Sequence, residues 1–278
     1  MTAERSLRAR SASMVALLLL LATGAARADV GSFFGNLFSG LNLMSVQQEQ
    51  EAAVTFAREI ESKQRMLRDP VVQRFVDDVG RRLVAGIRRP EFRYRFRVVA
   101  DRTVNAFNVG GGFIYVHAGL IEAAGTEAQL AATMAHEIGH QVERHVAKAI
   151  SRDVVFRTLA RAAVGDRASQ WVQLAAGLGI TTGQLHFGRE AERDADRVMV
   201  ELMLRAQYDP REALGIFQRI RAIEGREPSR VTSLFSSHPP TSERIAAVRA
   251  DLARRRLPGR LVRDSQRFHD VQLRLRHG

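Results

Sequence analysis

The sequence contains no cysteine, only two lysines and no uninterrupted apolar run of the roughly 20 residues that span a bilayer. The absence of cysteine excludes both a disulfide framework and a lipid-modified cysteine. The shortage of lysine means that the formal charge of +12 is carried mainly by arginines spread along the chain. No nucleic-acid-binding motif accompanies this charge, so we expect no nucleic-acid partner. An anionic membrane surface fits such a charge better.

The first 28 residues have the composition of a secretory signal peptide. Three arginines precede an apolar run at Met14–Ala22, and the A-x-A sequence of a cleavage site follows at residues 26–28. An uncleaved membrane anchor is the alternative, but the apolar run is too short to span a bilayer. We therefore expect an exported protein of the periplasm or cell envelope whose mature chain begins at Asp29.

Residues 29–44 form a second apolar segment at the start of the mature chain. Their aromatic and leucine residues recur at helical spacing: Phe33, Phe34, Leu37, Phe38 and Leu41. Such a stripe either packs on its own domain or lies in a membrane interface. We favour packing and retain peripheral membrane contact as the alternative.

The remaining pattern predicts an α+β fold that is mainly α, in one domain over residues 45–278. Residues 92–100 alternate apolar and basic side chains, and residues 104–117 give two β-like runs separated by three glycines, which predicts a small antiparallel sheet. Helical patterns occupy the rest. They lie at about 45–66, 70–87, 126–150, 188–206, 210–224 and 240–255.

An H-E-x-x-H motif at residues 136–140 lies inside one predicted helix. Residues four apart on an α-helix share a face, so the imidazoles of His136 and His140 can bind one metal ion. Glu137 can then take a proton from a water molecule on that ion. Gly139 is a weak helix former, and its small size permits close approach of a neighbour or a substrate.

The helix that carries this motif does not supply a third metal ligand. Glu143 lies about 10.5 Å along the axis from the first histidine, too far to share an ion. His145 points to another side of the helix, so we expect a structural or hydrogen-bonding role for it. Downstream, Glu192 and Asp196 are four apart on another predicted helix. One of them can bind the metal while the other orients a ligand histidine.

Four separated segments together resemble the gluzincin metalloproteases of peptidase family M48, which includes HtpX and the CAAX prenyl protease. The segments are NAFNVGGGFIYVHAGLI at 105–121, HEIGHQVERH at 136–145, GREAERDAD at 188–196 and SHPPTSERI at 237–245. Their order and spacing cover most of residues 45–255. The resemblance implies a gluzincin-type domain, with the sheet packed beside the H-E-x-x-H helix, in an exported bacterial member of the family.

The resemblance also implies the roles of individual residues. One Zn²⁺ ion per chain is expected on His136, His140 and Glu192, with Asp196 as the carboxylate behind one of the histidines. Zinc would activate a water molecule, and Glu137 would act as the catalytic base.

Three residues in the matching segments are candidate donors to the transition state. His238 ranks first, because its proline-bounded loop can reach across a cleft, and Arg244 and Tyr115 are the others. His238 can alternatively occupy the open zinc position as an inhibitory lid.

A substrate-binding strand is predicted at Gly112, Phe113, Ile114 and Tyr115, where an extended peptide could pair with the backbone. An ordinary core strand is the alternative reading of the same residues. Arg244 is a further expected substrate-binding residue.

The expected function is a zinc-dependent endopeptidase in envelope protein quality control, with proteins or peptides, including misfolded envelope proteins, as substrates. Two alternatives stay open. One is a chaperone-like envelope protein with a latent zinc site, and the other is a structural zinc protein. The second is disfavoured because structural sites usually have four protein ligands and no general base.

Overall fold

The computed structural model describes residues 40–87, 91–164, 185–227, 237–239 and 241–277. The expected signal peptide and residues 29–39 of the second apolar segment lie outside the described residues. Both therefore stay predictions, as do the domain boundaries and the expected membrane contact. No helix among the described residues is both long enough and apolar enough to cross a membrane.

The chain divides into two compact units. The larger unit consists of residues 44–147 and 171–278, and the smaller unit of residues 1–43 and 148–170. Within the smaller unit, the backbone N–H of Leu43 donates to Ser151 Oγ at 2.9 Å. All residues of the candidate site belong to the larger unit.

The described elements follow the order α, α, β, β, β and then helices to the C-terminal end, which confirms the mainly helical α+β prediction. They are α1 (Val46–Lys63), α2 (Pro70–Val84), β1 (Arg95–Val99), β2 (Ala106–Asn108), β3 (Phe113–His117), α3 (Ala118–Ala123), α4 (Glu127–Val142), α5 (His145–Val164), α6 (Arg189–Arg205), α7 (Glu212–Glu224), α8 (Ser242–Arg254) and α9 (Gln266–His277).

Local sequence explains where several of these helices begin. Ser45 and Gln48 form a capping box at the start of α1, and the Asp69 side chain accepts from two backbone N–H groups of α2. Thr126 and Thr241 cap α4 and α8 in the same way. These side chains accept hydrogen bonds that the first turn cannot make internally, which fixes the helix starts.

The sheet is mixed, which corrects the prediction of an antiparallel one. Its strand order is β1-β3-β2, with β1 parallel to β3 and β2 antiparallel to it. Every residue of β3 is buried. The nearly continuous apolar run of β3 suits a central strand that is buried on both faces. The short β2 therefore lies at the edge, and the strands do not pair in chain order.

Helix α4 carries the H-E-x-x-H motif through the centre of the larger unit, and all but one of its residues are buried. Its closest helical neighbour is α6. A Cβ atom on Gly139 would lie 2.7 Å from the carbonyl oxygen and 3.0 Å from the Cα of Ala195. Gly139 therefore permits backbone contact with a neighbouring helix, the first of the two reasons proposed for its small size.

The predicted helix over 126–150 is interrupted. Helix α4 ends at Val142, and Arg144 adopts a φ of 54° before α5 begins at His145. Neither glycine nor proline marks this break in the sequence. Tertiary contacts fix it, because Arg144 Nε donates to the buried Glu49 Oε2 at 2.7 Å and Nη2 donates to the Met44 carbonyl at 2.8 Å.

Helix α9 was not predicted, although Phe268 and Val271 give it an apolar face that packs in the core. The segment before it supports the start of α4. Asp264 Oδ1 accepts from the N–H of Glu127 at 3.1 Å, and the Arg263 carbonyl accepts from the N–H of Ala128 at 2.9 Å. The N-terminal end of α4 is therefore held by residues far along the chain.

Candidate active site

Three parts of the fold bring the predicted metal-binding residues together. Helix α4 supplies His136 and His140 on one face, α6 supplies Glu192, and the short segment 237–239 supplies His238. All four side chains are buried, and one ligand atom from each lies within 4.8 Å of the others. The sequence-predicted ligand set therefore converges on one point, together with a fourth donor.

The individual distances show how the ligand atoms face each other. The Nε2 atoms of His136 and His140 are 3.1 Å apart, and each lies 3.4 Å from a carboxylate oxygen of Glu192. His238 Nδ1 lies 2.9 Å from Glu192 Oε1 and 3.4 Å from His136 Nε2. The third histidine thus lies among the ligands rather than across an open cleft.

Glu137 borders the ligand set. Asn108 Nδ2, at the end of β2, donates to Glu137 Oε2 at 3.3 Å. Glu137 Oε1 lies 3.5 Å from His238 Nε2 but has no hydrogen-bond partner among the described residues. Oε2 is therefore held by Asn108 of the sheet, while Oε1 is available to accept a proton from a bound molecule.

Asp196 and Arg244 lie behind the ligands. Asp196 Oδ1 is 3.0 Å from His136 Nδ1, as expected for a carboxylate that orients a metal-binding histidine. Arg244 Nε and Nη2 donate to the two oxygens of Asp196 at 2.8 and 2.7 Å, and its Nη1 lies 2.6 Å from Glu192 Oε2. The guanidinium of Arg244 therefore holds Asp196 and Glu192 in place.

The pKa values of the carboxylates follow from these contacts. Burial would raise the pKa of Asp196, but hydrogen bonds from Arg244 and His136 lower it to about 2. Burial also opposes the charge of Glu192, yet His238 and the two α4 histidines bring its pKa well below the ordinary value. Both groups are therefore ionised at neutral pH, as metal binding requires.

The two ligand histidines differ in their pKa values. Burial lowers the pKa of His140 well below 6.5. Burial also acts to lower the pKa of His136, but Asp196 and Glu192 outweigh it and raise the pKa to about 9. A metal ion would therefore displace a proton from His136 and bind His140 in its neutral form.

The prediction that residues 112–115 form a strand open to a substrate peptide is wrong. Residues 113–117 form β3, which pairs with β1 on one side and β2 on the other. Phe113, Ile114 and Tyr115 are buried. No edge of β3 is left for a peptide, so the core-strand alternative is the correct reading of residues 112–115.

The structure also rules out two of the three candidate donors to the transition state. The hydroxyl of Tyr115 donates to Glu61 Oε1 at 3.3 Å, on helix α1, and is not part of the ligand cluster. Arg244 is 5% exposed, and its guanidinium contacts Asp196, Glu192 and the Pro239 carbonyl. Arg244 therefore fixes the carboxylates of the site instead of facing a substrate.

Sequence reasoning assigned no role to Asn108 or Phe187 at the site, and gave His145 only a general structural or hydrogen-bonding role. Asn108 binds Glu137, as described above. Phe187 stacks on the ring of His140 with centroids 4.1 Å apart, and His145 Nδ1 lies 2.9 Å from His140 Nδ1. Asn108 and His145 occur in the segments that resemble the family, so the signal was present. Phe187 lies just outside those segments.

The donor set fits a zinc ion. Zinc accepts imidazole nitrogen and carboxylate oxygen, and the Nε2 atoms of both α4 histidines converge with Glu192. Asp196 lies beside Nδ1 of His136, which leaves Nε2 as the nitrogen that can bind the ion.

Comparisons with known proteins agree with this geometry. The sequence profile described as Peptidase family M48 matches residues 70–252. A putative beta-barrel assembly-enhancing protease of Vibrio cholerae is 28% identical over 226 residues, which cover 78% of this chain and 45% of that protein. The beta-barrel assembly-enhancing protease of Escherichia coli is 28% identical over 217 residues, covering 74% of this chain and 44% of that protein.

A eukaryotic relative gives a second comparison. The mitochondrial metalloendopeptidase OMA1 of Schizosaccharomyces pombe is 32% identical over 176 residues, covering 63% of this chain and 51% of that protein. The chain spans about half the length of these curated relatives. Because the family match covers most of the chain and includes the ligand cluster, the chain belongs to peptidase family M48.

Proposed function

We propose that this protein is a zinc-dependent endopeptidase of the cell envelope. The observation that carries the proposal is the convergence of His136, His140 and Glu192 beside Glu137, whose Oε1 has no hydrogen-bond partner among the described residues. A structural site has no need of a buried glutamate in that position. A peptidase needs one as a proton acceptor.

Glu137 is the residue that moves protons in this proposal. A zinc ion on the ligand set would supply Lewis acidity, which lowers the pKa of a water molecule toward about 7 and polarises a peptide carbonyl. Glu137 Oε1 takes the proton of the attacking water and later delivers it to the leaving amine. Asn108 holds Oε2 during both transfers. Arg244 and Asp196 keep the α6 carboxylate and His136 in place.

We propose that His238 acts as a lid in the arrangement described here. Its Nδ1 lies 2.9 Å from Glu192 and its Nε2 lies 3.5 Å from Glu137, which is the position that water and substrate need. The imidazole must leave before cleavage. Once displaced, it stays near enough to donate to the developing oxyanion, so the lid and donor roles are compatible.

Proteins of the envelope, including misfolded ones, are the substrate class that we propose. The names of the bacterial relatives, which are beta-barrel assembly-enhancing proteases, support a substrate in the envelope. The signal-peptide pattern supports export. Peripheral membrane contact is supported by the apolar residues 29–44 and by the formal charge of +9 on residues 29–278, which is the +12 of the whole chain less the +3 of the signal segment.

The second candidate is a chaperone-like envelope protein whose zinc site is latent. The observation that favours it is the fourth potential ligand, because His238 completes a set of four protein donors. A site closed in this way would bind zinc without cleaving. The unsatisfied Glu137 oxygen favours the peptidase instead.

The test compares the mature chain with its Glu137→Gln variant. Gln keeps the shape and the hydrogen bond to Asn108 but cannot accept a proton. Bound zinc is measured in each protein, and cleavage of an unfolded protein substrate is followed on gels and by mass spectrometry of the fragments. We expect equal zinc content and a loss of cleavage of at least about 100-fold in the variant.

Each other outcome has a definite meaning. Zinc without cleavage in either protein, together with retained binding of the unfolded substrate, would support the latent chaperone-like protein. Equal cleavage by both proteins would refute Glu137 as the base. Absence of zinc from a folded parent protein, even after incubation with zinc, would refute the metal site.

A further inference from the structure

The histidine that opens helix α5 contacts a predicted zinc ligand from behind. His145 Nδ1 lies 2.9 Å from His140 Nδ1, and both rings are buried. On a continuous helix, residues five apart point about 140° away from each other. The break at Arg144 turns His145 back toward α4, so this contact depends on the interruption of the helix.

The contact requires one proton between two nitrogens. At 2.9 Å, one Nδ1 atom must donate and the other must accept. His140 Nε2 faces His136 and Glu192, so a bound metal takes the lone pair of that nitrogen. The proton of a neutral His140 must then reside on Nδ1, which becomes the donor.

We propose that His145 is the positioning residue for His140: its unprotonated Nδ1 accepts the hydrogen bond from His140 Nδ1–H and fixes His140 in the tautomer that binds zinc. The inference rests on the proposed zinc site and adds a residue to it. His145 is then neutral, with its own proton on Nε2. It does not bind the catalytic ion and does not touch the substrate.

The neighbours of His145 support this assignment. Glu143 and Asp194 each place a carboxylate oxygen within 4.8 Å of a nitrogen of His145, so two acidic groups lie beside this ring. Phe187 covers His140 on one ring face, with a centroid 5.9 Å from that of His145. Packing and polar contacts thus restrict the movement of both imidazoles.

Charge explains why a histidine suits this position better than a second carboxylate. His136 already has the carboxylate of Asp196 beside its Nδ1. With Glu137 and Glu192, the site holds three buried carboxylates against the single guanidinium of Arg244, a formal charge of −2. One zinc ion balances that charge. A carboxylate at position 145 would leave one negative charge buried and uncompensated, whereas a neutral imidazole accepts the hydrogen bond without adding charge.

The test compares His145→Leu with His145→Asn. Leucine fills space but accepts no hydrogen bond, whereas the asparagine carbonyl oxygen can occupy the place of Nδ1. The exposed residue His277, at the end of helix α9, provides the control variant His277→Leu. Zinc affinity is measured by competition with a chromophoric chelator, and the visible spectrum of the Co²⁺-loaded proteins reports ligand geometry.

We expect His145→Leu to weaken zinc binding by about 10- to 100-fold and to alter the Co²⁺ spectrum. His145→Asn should recover most of the affinity and the parental spectrum, and His277→Leu should match the parent. If His145→Leu does not fold, a folded His145→Asn variant decides the matter. Parental affinity in that variant supports the proposal, and loss of zinc binding overturns it.

Failure of this inference is distinguishable from failure of the proposed function. A parent that binds zinc and cleaves, with a His145→Leu variant of equal affinity, would overturn the role of His145 alone. Equal losses in the Leu and Asn variants would also overturn it, because an acceptor would then make no difference. A folded parent that binds no zinc would overturn the proposed function and this inference together.

Discussion

The close approach of helices α4 and α6 at Gly139 leads to a sharp prediction for Gly139→Ala. The added methyl group would lie 2.7 Å from the carbonyl oxygen of Ala195, about 0.7 Å inside the 3.4 Å at which ordinary contact begins. Both partners are backbone, so no side chain can rotate away. The two helices must separate by several tenths of an ångström, and they carry His140 and Glu192.

The magnitudes predict a larger effect on metal binding than on folding. Overpacking costs about 1–3 kcal/mol. Replacing a helical glycine by alanine returns about 0.5–1 kcal/mol, so the net loss of stability is about 0–2.5 kcal/mol. Metal–ligand distances tolerate only about ±0.2 Å. We therefore expect Gly139→Ala to fold but to bind zinc at least about 10-fold more weakly, with a corresponding loss of cleavage.

The assay combines a zinc competition titration with thermal unfolding of the metal-free protein. Gly225→Ala is the matched control, because a Cβ there meets its first neighbour at an ordinary 3.7 Å and the residue has right-handed helical geometry. Parental zinc affinity in a folded Gly139→Ala protein would refute the reasoning that backbone contact between the helices sets the ligand geometry.

Two further predictions concern histidines. His238→Ala should increase cleavage of an unfolded protein while weakening zinc binding only modestly, because the variant loses the lid but keeps the other three ligands. A lower kcat would favour the role of His238 as oxyanion donor. Unchanged kcat and zinc affinity would refute both the lid role and the donor role. Burial lowers the pKa of His117 below 6.5 although Asp101 opposes this, so the unfolded chain binds the extra proton first as pH falls. The stability that His117 contributes is therefore fully present above about pH 6.5 and is lost below it. Denaturant midpoints of the parent should fall between about pH 7 and pH 5 more steeply than those of His117→Asn.

The predictable part of the fold and site came from periodicity and motif spacing. The four-residue spacing within each helix placed His136 with His140, and Glu192 with Asp196, on shared helix faces, and the structure has both pairs. The predicted helix over 126–150 also has the correct start, because Thr126 caps α4. Each of these features depends on neighbours within a few residues, which a single sequence displays directly.

The features that were missed depend on contacts between distant segments. The break after α4 results from Arg144 reaching the buried Glu49, 95 positions away. The order of the strands depends on β3 being buried on both sides. Arg244 was considered as a substrate contact because nothing in its local sequence shows that Asp196 and Glu192 would surround its guanidinium.

The hydrogen bonds that residues 263–272 make to the start of α4 have a consequence for where the folding unit ends. The family match stops at residue 252, yet Asp264 and Arg263 bind the first N–H groups of helix α4, and Gln272 donates to the carbonyls of Ile121 and Ala124 just before it. A polypeptide trimmed to the homologous region would keep every side chain of the proposed site and lose the hydrogen bonds that hold the start of the H-E-x-x-H helix. The smallest unit that can fold around the metal is therefore longer than the smallest unit that can be recognised by its sequence.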